Sequence, residues 1–100
     1  MRTEILIFER DDGGYILPNH NPWKTNRVRP IAILNNTDVE LHLRDFTADL
    51  LHDVNDDEIS EVRIAPGEFW LGKDGKGRGE YKYDDGMPRV GTRTGTIDPN

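Results

Sequence analysis

The chain has 100 residues, with 13 Lys and Arg against 19 Asp and Glu, and no cysteine. That length holds one domain over residues 1–100, because a second could not bury a core of its own. Missing cysteine excludes disulfides, thiolate metal ligands and thiol nucleophiles; a net charge of −6 argues against general nucleic-acid binding; and no apolar run is long enough for a membrane-spanning helix.

In chain order, Ile5-Leu6-Ile7-Phe8 predicts a first strand, ended by the turn residues Asp11-Asp12-Gly13-Gly14. The same apolar stretch is too short for the core of a signal peptide, so no export signal is expected in the chain as given. Tyr15-Ile16-Leu17 is a short second strand stopped by Pro18. Pro18, Pro22 and Pro30, with Asn19, Asn21 and Asn26, make residues 18–30 a long loop, in which Trp23 is expected to plug one end of the fold. Residues 31–34 form a third strand that enters the turn Asn35-Asn36-Thr37-Asp38. Val39, Leu41 and Leu43 then alternate with Glu40, His42 and Arg44, the period of a half-buried strand with His42 facing water.

Residues 47–57 have mixed character, with Thr47 placed to cap a short helical turn holding Leu50 and Leu51. Residues 59–64 read as a strand with Val62 and Ile64 on one face, and Ala65-Pro66-Gly67-Glu68 turns the chain into Phe69-Trp70-Leu71. With Phe69 and Leu71 taken as core, Trp70 falls on the outside, as a partner contact or packed beneath the adjoining loops. Residues 72–79, rich in glycine and lysine, read as a hairpin loop; Tyr81 and Tyr83 share a face of the next strand; and a last strand runs to about Ile97. About seven short strands with frequent turn signals and no long helix predict an all-β fold, an antiparallel sandwich or barrel.

Charge is uneven. Residues 38–61 carry nine carboxylates against the single base Arg44, whereas residues 71–95 carry six bases against four acids. Catalytic chemistry finds little to use. Ser60 is the only serine and lies outside a Gly-x-Ser-x-Gly elbow. His20, His42 and His52 have no spacing that would plant two on one face, and read as unlinked surface residues. Asp53-Val54-Asn55-Asp56-Asp57-Glu58 has oxygen ligands like a calcium loop, but Glu58 and Ile64 stand where the EF-hand needs Gly and Glu. The glycines of residues 72–79 lack the Walker order for a phosphate loop. No catalytic, cofactor-binding or metal-ligating residue is assigned, and no enzyme is expected.

Several of these segments together resemble a known family. Glu4-Ile5-Leu6-Ile7 followed by Asp11-Asp12-Gly13-Gly14 and Pro18 is similar to the opening of a plastocyanin, a small blue-copper member of the cupredoxins. Ile33-Leu34-Asn35-Asn36, Ile64-Ala65-Pro66-Gly67-Glu68, Gly79-Glu80-Tyr81-Lys82-Tyr83 and Gly95-Thr96-Ile97 resemble later segments of that family, in the same order. The resemblance implies a Greek-key β-sandwich, but not the family's chemistry. A blue-copper site needs two His, a Cys thiolate and an axial Met. Here the thiolate position falls on Asp84 or Asp85, Arg93 stands near the methionine position, and the first histidine position falls on Leu41 with His42 one residue late. Two functional expectations result. The first is a metal-free, non-catalytic binding or structural module, docking a protein partner through loops at one end or through the strand face bearing Glu40, His42 and Arg44. The second is a metal-handling protein with a non-blue Cu(II) or Zn(II) site built from His42 and Asp84 or Asp85. Neither expectation includes a nucleic-acid or membrane partner.

Overall fold

Both kinds of apolar pattern, alternating and continuous, become strands. The computed structural model describes residues 2–100, and among these there are nine strands and no helix: β1 (Glu4–Arg10), β2 (Ile16–Pro18), β3 (Pro30–Asn35), β4 (Leu41–Leu43), β5 (Leu51–His52), β6 (Val62–Ile64), β7 (Phe69–Asp74), β8 (Gly79–Asp84) and β9 (Thr92–Ile97). One layer is a five-stranded sheet in the order β2-β1-β3-β7-β5. The other is built from the ladders β4–β6 and β8–β9. Reciprocal backbone hydrogen bonds between Arg44 and Lys82 (3.0 and 2.8 Å) join these two ladders, giving the order β6-β4-β8-β9.

The core lies between the layers. Leu6, Phe8, Ile16, Ile31, Ile33 and Leu51 enter it from the five-stranded sheet; Leu41, Leu43, Val62, Ile64, Tyr81, Tyr83 and Ile97 enter from the other side. Phe8 stands edge-on to both Tyr81 and Tyr83, with ring centroids 6.2 and 5.3 Å apart, an arrangement favoured by the ring quadrupoles. Gly95 faces Tyr81 across the β8–β9 ladder, and a Cβ there would overlap the phenol ring. The buried Asn35 closes the seam between layers. Its Nδ2 donates to the carbonyls of Val39 and Ile64 (both 2.8 Å), and its Oδ1 accepts from the Thr37 hydroxyl (2.6 Å) and amide (3.1 Å). Trp23 is buried in the core and paired with Ile97, as expected of a residue that closes one end.

Several expectations are corrected. The sheet is not wholly antiparallel, because β1 and β3 run parallel with Ile5 opposite Ala32 and Ile7 opposite Leu34. Residues 47–57 contain no helical turn: Leu51 and His52 pair with Asp74 and Lys73 instead, so that β7 gains an edge partner. The strand expected over residues 59–64 shortens to Val62–Ile64. Residues 72–79 are not a hairpin, since β7 and β8 belong to different layers and the loop crosses between them. The largest reversal is at Phe69-Trp70-Leu71. The β3–β7 register sets Trp70 beside Ile33 on the core side, while Phe69 and Leu71 face out. Gly72, two residues on, leaves the room that the Trp70 indole covers.

Candidate functional site

A strand with one face in water is expected to alternate apolar and polar residues, yet β1 and β3 read Ile5-Leu6-Ile7-Phe8 and Ile31-Ala32-Ile33-Leu34 without a break. The inner half of each run fills the core. The outer half, together with Phe69 and Leu71 of β7, forms an apolar surface on the solvent side of the five-stranded sheet. The register aligns it into two rows across three strands, Ile5–Ala32–Leu71 and Ile7–Leu34–Phe69. Phe69 is 59% exposed, Ile5 49% and Leu71 48%. A shallow depression lined by Thr3, Ile5, Ala32, Leu34, Phe69 and Leu71 lies across them. Scattered exposed apolar residues are ordinary, but a contiguous patch on the centre of a sheet is the kind of surface that marks an interaction site.

The opposite outer face, which with the loops at one end was an expected docking surface, has a different chemistry. His42 Nε2 hydrogen-bonds Glu61 Oε2 (2.9 Å), Arg44 Nη2 binds Asp84 Oδ1 (2.8 Å), and Arg63 Nη1 binds Glu40 Oε1 (2.9 Å). The hydrogen bond from His42 holds the Glu61 carboxyl below its usual range. His42 does face away from the core, as its parity with Glu40 and Arg44 requires. Asp84 and Asp85 diverge. Asp84 stays on Arg44, whereas Asp85 is buried and its Oδ1 accepts the amides of Met87 (3.0 Å) and Gly91 (3.1 Å), closing the turn into β9. Those two amides hold the Asp85 carboxyl below its usual range. His42, Asp84 and Asp85 each have a separate partner, and among the described residues no group of three His, Asp or Glu is arranged to hold a metal ion.

The loops flagged in the sequence serve the fold. Asp53 Oδ1 accepts the amides of Asn55 (2.8 Å) and Asp57 (3.1 Å), so residues 53–57 form an Asx-type turn. The glycine-rich crossover is tied down: the amides of Gly75 and Gly77 donate to the carbonyls of Leu50 and Asp49 (3.0 and 2.8 Å), and the Arg27 guanidinium donates to the carbonyls of Gly75 and Gly77. These contacts engage the amides that a phosphate cradle would need. Ser60 is exposed at the start of the β6 segment.

His52 is a site that the sequence reading missed. Its ring lies between Asp56, bonded at Nδ1 (2.9 Å), and Asp49, bonded at Nε2, with Lys73 3.6 Å from Asp56. The hydrogen bonds to Asp56 and Asp49 push the imidazole pKa up, and their partner His52 pulls both carboxyls down. The signal was the spacing, with carboxylates three residues before and four after the histidine. A second missed group is Asp74, 8% exposed on the inner side of β7. Its Oδ2 accepts the Thr25 hydroxyl (2.5 Å) and its Oδ1 has no partner among the described residues. Burial raises its carboxyl above the usual range, against the pull of the Thr25 hydrogen bond and the Arg27 charge. No family model matches this chain, and a search of curated proteins found no match to it.

Proposed function

We propose that this chain is a cupredoxin-like, Greek-key β-sandwich that serves as a metal-free, non-catalytic binding module, and that it docks protein partners through the outer face of the five-stranded sheet. The observation that carries the reading is the pair of apolar rows Ile5–Ala32–Leu71 and Ile7–Leu34–Phe69, on a sheet face that no other element covers among the described residues. The Greek-key part is supported by the path of the chain, which crosses between layers at every connection from β3 to β8. The docking face replaces the Glu40, His42 and Arg44 face, whose charged groups already satisfy one another. Nothing in the arrangement of His42, Asp84 and Asp85 favours the metal-handling alternative.

The test is binding of the apolar fluorescent probe 8-anilinonaphthalene-1-sulfonate to dilute native protein. The reading expects saturable binding that the double variant F69S/L71S abolishes while its unfolding midpoint stays within a few degrees of the parent. Absence of probe binding, or binding indifferent to the double variant, overturns it.

A further inference from the structure

We infer that the occupant of the outer face is a second copy of this chain, bound face to face about a two-fold axis; this rests on the binding-module reading and specifies its partner. The argument is the distribution of charge around the apolar rows. Among the outward residues of β1, β3 and β7 the charged ones are one acid at one end, Glu9, and one base at the other, Lys73. Glu9 of β1 sits beside Asn36, whose Nδ2 reaches its Oε2 at 3.4 Å. Lys73 of β7 sits opposite Pro30 of β3. Taking Ile33 as the middle of β3, Asn36 and Pro30 are each three residues away, in opposite directions. Glu9 and Lys73 therefore occupy diagonally opposite corners of the face, on the strands that flank β3, at equal distances from its centre.

That placement is self-complementary. A two-fold axis lying in the plane of contact and perpendicular to the Glu9–Lys73 diagonal reverses the diagonal. It sets each Glu9 on the partner's Lys73 and each Lys73 on the partner's Glu9, with the apolar rows stacked between the two charge pairs. An isologous contact of this kind closes at two copies and leaves no open face for a third. Glu9 has no ion pair within its own chain among the described residues, and Lys73 has only Asp56 at 3.6 Å. Both retain attraction for a partner.

Size sets the strength. The five strands together hold 24 residues, and at about 3.3 Å per residue and about 4.8 Å between strands they present a face of roughly 400 Å² in projection. This falls below the roughly 800 Å² per partner of a standard stable interface, so a weak and reversible dimer is expected.

The experiment is sedimentation velocity from about 5 µM to about 500 µM protein, at low and at physiological salt. The inference expects the sedimentation coefficient to rise from monomer to dimer over that range, and expects L71K to hold the chain monomeric. E9K and K73E should each weaken association about tenfold, and the double variant E9K/K73E should restore it, because both corners then attract again. A monomer at every concentration, or a dimer indifferent to L71K, overturns self-association. Probe binding separates this result from the broader reading. A monomer that still binds the fluorescent probe at Phe69 and Leu71 keeps the module and loses only the second copy as its partner, whereas a monomer that binds no probe loses both.

Discussion

The two outer faces of the sandwich are made of similar strands and finished in opposite ways. On the β6-β4-β8 side, outward residues pair with one another as His42–Glu61, Arg44–Asp84 and Arg63–Glu40. On the β1-β3-β7 side, the outward residues are Ile5, Ile7, Ala32, Leu34, Phe69 and Leu71. The first face is stable against water with nothing added. The second loses solvation free energy at about 25 cal/mol for each square ångström of apolar surface it leaves exposed. Such a face gains from a cover, and the proposed contact side rests on this difference between the two layers.

The sharpest way to break this comparison is to truncate one inward and one outward residue of the same sheet. Phe8 points inward and meets Tyr81 and Tyr83, so Phe8→Ala should cost about 3–5 kcal/mol in urea unfolding through the cavity it opens. Leu71→Ser on the outer face of β7, two strands away in the same sheet, should cost under about 1 kcal/mol while removing probe binding. Equal costs would mean that the outer residues serve stability alone.

The seam between the layers gives the next effect. Asn35→Ala takes the amide donor from the buried carbonyl of Ile64 and leaves the carbonyl of Val39 with the Thr37 hydroxyl alone, and a loss of about 2 kcal/mol is expected in the same assay. Retention of full stability would show that the seam closes by other means.

His52, at the β5 edge of the five-stranded sheet, gives a pH dependence of defined sign. Its folded pKa lies above the unfolded 6.5, so the folded chain binds more protons than the unfolded one in that range. Stability from this group is fully present below pH 6.5 and is lost as pH rises through the raised value. Thermal unfolding should therefore fall in midpoint above neutrality, and H52Q should flatten that slope. An unchanged slope in H52Q would remove the Asp49–His52–Asp56 cluster as its source. The smallest effect is expected at Tyr81, whose buried hydroxyl has no hydrogen-bond partner among the described residues and whose pKa is pushed up by burial. Tyr81→Phe should stabilise by up to about 1 kcal/mol, measured by urea unfolding, and a loss instead would reveal a hydrogen bond to the hydroxyl.

How far the sequence could be read differs between local and distant causes. Leu41 and Leu43 alternate with polar neighbours, and their burial with His42 turned out follows from that period alone. The turns at Asp11-Asp12-Gly13-Gly14 and Ala65-Pro66-Gly67-Glu68 were likewise legible from turn chemistry. The orientation of Phe69, Trp70 and Leu71 was not, because three large apolar residues in succession give no parity; pairing with Ile33, over thirty residues away, decides it. Leu51 and His52 became a strand because β7 offered an open edge, a tertiary cause invisible in residues 47–57. The proposed docking face itself had a signal. The unbroken apolar runs at residues 5–8 and 31–34 are the pattern of strands covered on both sides. They predicted a strand correctly, while the need for a second cover became visible only once the core was seen to occupy one side.

The measurement that tests the central claim most directly is a methyl-resolved NMR titration of dilute native protein with 8-anilinonaphthalene-1-sulfonate. The account predicts shift changes at Ile5, Ile7, Leu34 and Leu71, while Val39, Val28 and Val90 stay still. Changes centred on the valines, or none at the four outer-sheet residues, would contradict it.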